Sequence, residues 1–262
     1  MEFFFFQVFP YVALTILILG SIARYERDPF SWKSKSSQFL RRRQLIWGSI
    51  LFHVGILVVF IGHLVGLLTP IELFDTIGVS HGVKQFMAIF VGGIAGIMAV
   101  VGGAMLLHRR LTDPRIRATS TFADTGILAL LLLQLVIGLG TIIISLDHLD
   151  GGAMVQFMNY SRAIFTFQTD AWLQIVDAHW IFKLHMALGM FIFILFPFTR
   201  LVHMLSVPVR YLWRPGYQIV RSRRTAERPA GLIRPKAPQP AFPVAAVRPG
   251  TKASQPHSTP AQ

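Results

Sequence analysis

Apolar residues fall along this chain in five long blocks, at about 3–22, 46–69, 85–107, 122–145 and 181–205, divided by shorter polar stretches. An α-helix needs about 20 mostly apolar residues to cross the hydrocarbon of a bilayer, and each block has that length. The pattern predicts an all-α integral membrane protein, a bundle of five transmembrane helices. The first block reads as a retained helix and not a cleaved signal. Its start carries Glu2 and no basic residue, and no small-x-small site precedes Arg24. Between blocks four and five, a mixed segment at about 146–180 has room for a short surface helix near 152–166. From about Arg221 the chain turns rich in Pro, Ala, Arg and Ser with no apolar periodicity. It therefore divides into a transmembrane domain, 1–220, and a tail, 221–262, that cannot bury enough surface to offset its ordering entropy and is expected to be disordered. No internal repeat is present.

Composition agrees with this picture. Of the 262 residues 53% are hydrophobic and 14% charged, against about a quarter charged in a typical soluble domain. Basic residues outnumber acidic ones by 25 to 12, for a net charge of +13. A nucleic-acid binder clusters such charge on a solvated face; here it lies between apolar blocks, so nucleic acid is excluded as a partner. Assigned to alternate sides of five spans, 22 basic residues fall on one side, and only Lys84, Arg162 and Lys183 on the other. The excess of Lys and Arg marks the cytoplasmic side, which places the N-terminus outside and the C-terminus in the cytoplasm. The absence of cysteine removes disulfides, thiolate nucleophiles, cysteine-ligated iron–sulfur clusters and covalently attached c-type haem. Histidine is the remaining ligand for redox chemistry.

Four of the nine histidines lie inside apolar blocks: His53 and His63 in the second, His185 and His203 in the fifth. An ionisable side chain within a membrane helix is costly, which makes each a functional candidate. Any one of them is equally well explained as a neutral hydrogen-bonding contact between helices. Together they form a pattern. Block two travels outward and block five inward, so antiparallel helices offer one histidine each at two depths. Haem held between two imidazoles needs this arrangement, and the pairs are His63 with His185 and His53 with His203. The spacing of ten residues corresponds to about 15 Å along a helix and leaves an offset of about 80°, whereas eighteen residues correspond to about 27 Å and close five turns. Blocks two and five therefore match only with tilt, a bend or oblique haems. Gly55, Gly62 and Gly189 would let a porphyrin approach the backbone closely. A dizinc or di-iron centre needs carboxylates beside the histidines, and blocks two and five contain none. Two b-type haems, or packing and transport roles for the same histidines, are the two readings the residues allow.

The strings around these residues resemble the gamma subunit of respiratory nitrate reductase, the membrane dihaem cytochrome b of that complex. The likeness runs from about Phe9 to Arg221. It includes SSQFLRRR at 36–43, LFHVGILVVFIGHLVGLLTP at 51–70, VKQFMAIFVGG at 83–93, RRLTDPRIRATSTFAD at 109–124 and FKLHMALGMFIFILFPFTRLVHMLSVPVRYL at 182–212. The resemblance implies that His63 and His185 hold the outer haem iron and His53 and His203 the inner one. It implies that quinol (menaquinol or ubiquinol) is oxidised at the outer haem, and that electrons pass inward to an iron–sulfur beta subunit and then a molybdenum-containing alpha subunit. It also implies a bacterial or archaeal cytoplasmic membrane and a place in anaerobic respiration with nitrate. In the VKQ string, Lys84 matches a family lysine that would donate to a quinol oxygen; by itself it reads equally as a lysine snorkelling to the interface. Gly62 matches a family position lining the same pocket. The extension past about Arg224 exceeds the family pattern and leaves room for a different docking partner.

Other charges fill in this picture. Glu72 and Asp75 are candidate acceptors for quinol protons on the outer side. Arg200 falls beside His203 and is a candidate partner of a haem propionate. Arg41–Arg43 and the 109–117 cluster suit anionic lipid, or a docked soluble subunit. Two further readings stay open: the dihaem b subunit of another quinone-linked reductase, such as one acting on sulfur compounds, and a non-redox haem-handling or scaffolding membrane protein.

Overall fold

A computed structural model describes residues 1–32, 40–147 and 149–206. The division at residue 220 and the tail at 221–262 lie outside the described residues. Among those described, every regular element is helical: a π-helical turn, Phe4–Val8, leading into α1, Phe9–Arg27; then α2, Arg42–Leu68; α3, Ile71–Thr76; α4, His81–Thr112; α5, Pro114–Thr119; α6, Phe122–Ser145; α7, Gly152–Phe165; and α8, Trp180–Leu195. Five of the helices are long and apolar enough to cross a membrane, as the five apolar blocks predict: Phe4–Arg27, α2, α4, α6 and the helix through Trp180–Phe198.

Packing runs in sequence from α2 to α4, α6, α8 and α1, so α2 and α8 are not packed as neighbours. The tightest crossing is α2 against α4. A Cβ on Gly55 would lie 2.5 Å from the Ala95 carbonyl oxygen, and one on Gly102 would run into the Phe52 backbone nitrogen. Small residues let membrane helices approach to backbone contact. The close approach that Gly55 permits is therefore of helix to helix and not of porphyrin to helix. Gly189 likewise faces Gln134, whose Nε2 would be 3.2 Å from an added Cβ. Gly62 has nothing within 4 Å.

The two ends of the bundle differ in charge. One, the basic end, carries Arg24, Arg41, Arg109, Arg110 and Arg200; the other, the acidic end, carries Glu2, Glu72, Asp75 and Asp150. At the acidic end, the segment expected as a surface helix is α7, and it buries Met158, Tyr160, Ala163 and Ile164. Pro10 has no N–H to return to Phe6, and the Phe6 carbonyl takes the Tyr160 hydroxyl instead (3.0 Å). Burial pushes the Tyr160 hydroxyl pKa up, so it stays a donor. Gln7 holds the following loop, donating to the Gln168 carbonyl (2.8 Å) and accepting from the Trp172 N–H (3.2 Å).

Block five is not one helix. α8 ends at Leu195, a short 3₁₀ turn covers Phe196–Phe198, Thr199 is extended (ψ −177°), and a second 3₁₀ turn carries Arg200–Ser206. Pro197 within the chain explains the break, since it cannot donate to the preceding turn. The carbonyls released there find a donor on α1: Arg24 Nη1 bonds the Pro197 oxygen (2.7 Å) and the Thr199 oxygen (2.8 Å). Gly20 makes room, because a Cβ there would stand 2.8 Å from the Pro197 ring. The expectation that His185 and His203 share a face through five α-helical turns is therefore overturned. A 3₁₀ turn delivers His203, and this break supplies the bend that the unequal histidine spacings required.

Candidate functional site

The four histidines meet in the expected pairs. The ring centroids of His63 and His185 are 6.1 Å apart, and those of His53 and His203 are 6.3 Å apart. His63 and His185 do so although α2 and α8 are not neighbours in the packing order, and His203 comes to His53 from the 3₁₀ run beyond α8. An imidazole nitrogen sits about 2 Å from a bound metal and about 1 Å from the centre of its own ring, so two imidazoles on opposite faces of one metal have centroids about 6 Å apart. Both pairs have this separation.

The hydrogen bonds select the nitrogen that is left to bind. His53 Nδ1 lies 2.8 Å from the Ser49 carbonyl oxygen, and His63 Nδ1 lies 2.8 Å from that of Val59. His203 Nδ1 bonds the carbonyl of Arg200. A carbonyl can only accept, so each Nδ1 carries the proton and Nε2 is left as a lone-pair donor, the tautomer a metal-binding histidine uses. His185 differs. Its Nδ1 is buried with no partner among the described residues, its Nε2 is 3.4 Å from Gln134 Nε2, and Gln134 donates to its backbone carbonyl (2.9 Å). A buried ring nitrogen without a partner is costly in a native protein, and a ligand to it removes that cost.

The donor set fits a macrocyclic metal centre better than a bare ion. No group of three or more His, Cys, Asp or Glu side chains comes together among the described residues. Protein-held metal sites use three or four such ligands. Two imidazoles suffice only where other atoms fill the remaining positions, as a porphyrin does.

Gly138 is a site residue that sequence reading missed. A Cβ on it would stand 2.8 Å from His185 Cε1, so the edge of the ring comes right up to the α6 backbone at this position. Its signal in the sequence was a glycine inside an apolar block, and it needed the α6–α8 register to be interpreted. Gln134, in the same block, is the corresponding polar residue.

Lys84 is 8% exposed and does not snorkel. Its Nζ sits 2.9 Å from Met158 Sδ and 3.9 Å from the centroid of the Phe74 ring. Met158 in turn lines a cleft of about 320 Å³ with Leu67, Leu68, Pro70, Arg162 and Phe165. That cleft opens one helical turn beyond His63, since Leu67 follows His63 on α2. Lys84 and Gly62 are not among its lining residues; Met158 separates the lysine from it. Nearby, Glu72 accepts from Arg162 (2.6 Å) and Asp75 pairs with His81 (3.1 Å). The Glu72 carboxyl is held below its ordinary range, first by its own backbone N–H and then by Arg162. That makes it a weaker proton acceptor than its exposure suggested.

At the basic end, Arg200 Nε donates to Asp124 Oδ1 (2.9 Å). Arg109 and Arg110 turn inward, to the carbonyls of Leu40 (2.6 Å) and Asp124 (2.5 Å). Arg41 pairs with Asp113 (3.0 Å). These arginines join loops to helix ends; Arg42, Arg43, Arg115 and Arg117 are exposed, as is Arg41, which is held in its pair with Asp113.

Comparison with known proteins agrees with the geometry. The family of the nitrate reductase gamma subunit matches residues 2–223. The respiratory nitrate reductase 1 gamma chain of Escherichia coli (strain K12) is 44% identical over 220 residues, 84% of this chain and 97% of that one. The respiratory nitrate reductase 2 gamma chain of the same organism is 45% identical over 221 residues, again 84% and 97%. The nitrate reductase gamma chain of Bacillus subtilis (strain 168) is 41% identical over 216 residues, 82% and 96%. With five apolar spans and relatives of this kind, the protein is a multi-pass membrane protein. It belongs to the nitrate reductase gamma subunit family.

Proposed function

We propose that this chain is the quinol-oxidising cytochrome b subunit of a respiratory nitrate reductase, with b haem at His63/His185 and at His53/His203. The observation that carries the reading is the pair of imidazole couples, 6.1 and 6.3 Å between centroids, at two depths of one bundle. Haem held at each couple would supply one-electron transfer without taking up a proton.

The other residues take their parts around these couples. The cleft beside Met158 suits a quinol headgroup, as it is mostly apolar and lies within a turn of His63. Lys84 meets the headgroup oxygen by displacing its weak contact with Met158 sulfur, and Gly62 leaves the neighbouring face of α2 open. Quinol protons leave at the acidic end, where Asp75, paired with His81, and Glu72, paired with Arg162, are the nearby carboxylates. With the basic end in the cytoplasm, those protons go outside while electrons leave at the opposite end for an iron–sulfur subunit and a molybdenum subunit. Arg200 has no partner for its Nη groups among the described residues and is the cation available to a propionate near His203. Arg42, Arg43, Arg115 and Arg117 face anionic lipid or the docked subunits.

The test is the visible spectrum of the purified complex, oxidised and then reduced with a quinol analogue, with the haem-to-chain ratio. A ratio near two and low-spin b-type bands that appear on quinol addition are expected; a folded chain with no haem overturns the reading. Lys84→Ala is expected to raise the KM for the quinol analogue about tenfold or more, the size of a lost charge-assisted hydrogen bond, with both haems retained. A reporter fused at residue 262 that is active only outside the cell would reverse the topology.

A further inference from the structure

We propose that Asp124, acting through Arg200, is a positioning residue for His203, so that the histidine pair at the basic end is tuned by a charge clamp that the other pair lacks. The inference rests on the reading of the four histidines as haem ligands.

His203 sits in a seven-residue 3₁₀ run, Arg200–Ser206. Such runs beyond three or four residues are uncommon, because their hydrogen-bond geometry is poor. Something outside the run must hold it. His53 and His63 bond to carbonyls four residues back in a continuous α-helix, which fixes those carbonyls by its own ladder. The carbonyl that receives His203 Nδ1 belongs to Arg200, at the start of the run. Arg200 is fixed through its side chain, by Nε to Asp124 Oδ1 at 2.9 Å, with both groups largely buried (20% and 12% exposed). Asp124 is itself locked. Its Oδ2 accepts from the Thr121 N–H (3.1 Å), its own N–H donates to Thr121 Oγ1 (3.2 Å), and Arg110 Nη1 donates to its carbonyl (2.5 Å). The start of α6 thus reaches His203 by one side-chain bridge.

Two physical effects follow, and they have the same sign. A carbonyl held firmly on Nδ1–H makes the imidazole a more basic ligand, which favours the oxidised metal. A carboxylate on Arg200 cancels a cation beside the ligand; without it the unbalanced positive charge favours the reduced metal. Losing the Asp124 charge therefore moves the potential at His53/His203 upward and leaves His63/His185 alone.

The experiment is a potentiometric titration of the purified complex, followed by visible and low-temperature EPR spectra. His53→Ala defines which of two components belongs to the basic-end pair. Asp124→Asn is expected to shift that component to a more positive potential and alter its low-spin signal, with the other component unmoved as an internal check on folding. Asp124→Glu, which keeps the charge and the cap, is expected to restore it. Thr121→Ala, which removes the hydroxyl cap but keeps the bond to Arg200, is expected to leave both components in place. Should Asp124→Asn not assemble, Asp124→Ser keeps a hydroxyl for the Thr121 N–H and is read the same way. The proposal is overturned if Asp124→Asn moves neither component or both alike, or if Thr121→Ala moves the basic-end component as far. If His53→Ala removes no component, the ligand reading falls and the clamp with it, a result separate from one in which His53→Ala removes a component and Asp124→Asn moves none.

Discussion

The two histidine pairs present the same rings at nearly the same separation, yet the chain builds them differently. At the acidic end, both His63 and His185 stand on uninterrupted α-helix, and His185 is placed by packing, its Cε1 edge against Gly138 with Gln134 on its carbonyl. At the basic end, His53 stands on α-helix but His203 hangs on a 3₁₀ run beyond the break at Pro197. There the placement is by polar bonds, from Arg24 to two carbonyls and from Arg200 to Asp124. One ligand depends on shape and the other on charge. The pairs should therefore fail to different kinds of substitution.

The largest effect comes from the ligands themselves. Removing one imidazole of a pair would leave a b haem with one protein ligand in place of two, and so weaken its hold. His203→Ala is expected to lower the haem-to-chain ratio from about two to about one by losing the basic-end haem, and His185→Ala to lose the acidic-end haem instead. Separate spectra of the two variants, which together sum to the wild type, check this. If either variant loses both haems with the chain still folded, the pairs are not independent and the comparison breaks.

Next in size are two glycines that separate shape from charge. Gly138→Ala puts a Cβ 2.8 Å from His185 Cε1, and Gly20→Ala puts one 2.8 Å from Pro197 Cγ. Overpacking of this kind costs about 1–3 kcal/mol. The imidazole can turn about its own side-chain bonds, so Gly138→Ala is expected to perturb the acidic-end haem spectrum more than the melting temperature. The proline ring cannot turn, so Gly20→Ala is expected to lower the melting temperature and to reach His203 only through the displaced break. Thermal melts and haem spectra of both variants distinguish the two responses.

Much of this was legible in the sequence. Length and apolarity are properties of the blocks alone, so five spans could be read directly. Two-depth pairing also followed, because antiparallel succession puts 53 beside 203 and 63 beside 185 whatever the detailed geometry. What could not be read was the path of the backbone between His185 and His203. Pro197 signals a break, but its consequence depends on Arg24 and Gly20, 173 and 177 residues earlier in the chain. The roles of charged residues were also obscure. Arg24 counted only as a topology signal, and Arg109 and Arg110 as charges for lipid or a docked subunit as well, until tertiary contact showed them bonded to carbonyls. Glycines misled for the same reason: Gly55 and Gly189 lie near ligands in sequence but face α4 and Gln134 in space.

The smallest expected effect tests whether charge matters equally at the two ends. The Glu72–Arg162 pair at the acidic end is short, 2.6 Å, but its side chains are 59–62% exposed, whereas Arg200–Asp124 is largely buried. Water and salt screen the exposed pair. The Glu72 carboxyl is held below its ordinary 4.5, so it favours the folded state above that pH and the contribution is lost as pH falls through the lower, folded value. Glu72→Gln is therefore expected to lower the melting temperature slightly at neutral pH and low salt. The difference from wild type should shrink in high salt and vanish at acid pH. Asp124→Asn should show a larger difference that salt does not remove. If the Glu72→Gln difference is as large and as salt-resistant as that of Asp124→Asn, the acidic end is also held by charge, and the contrast between a shape-set ligand and a charge-set one does not stand.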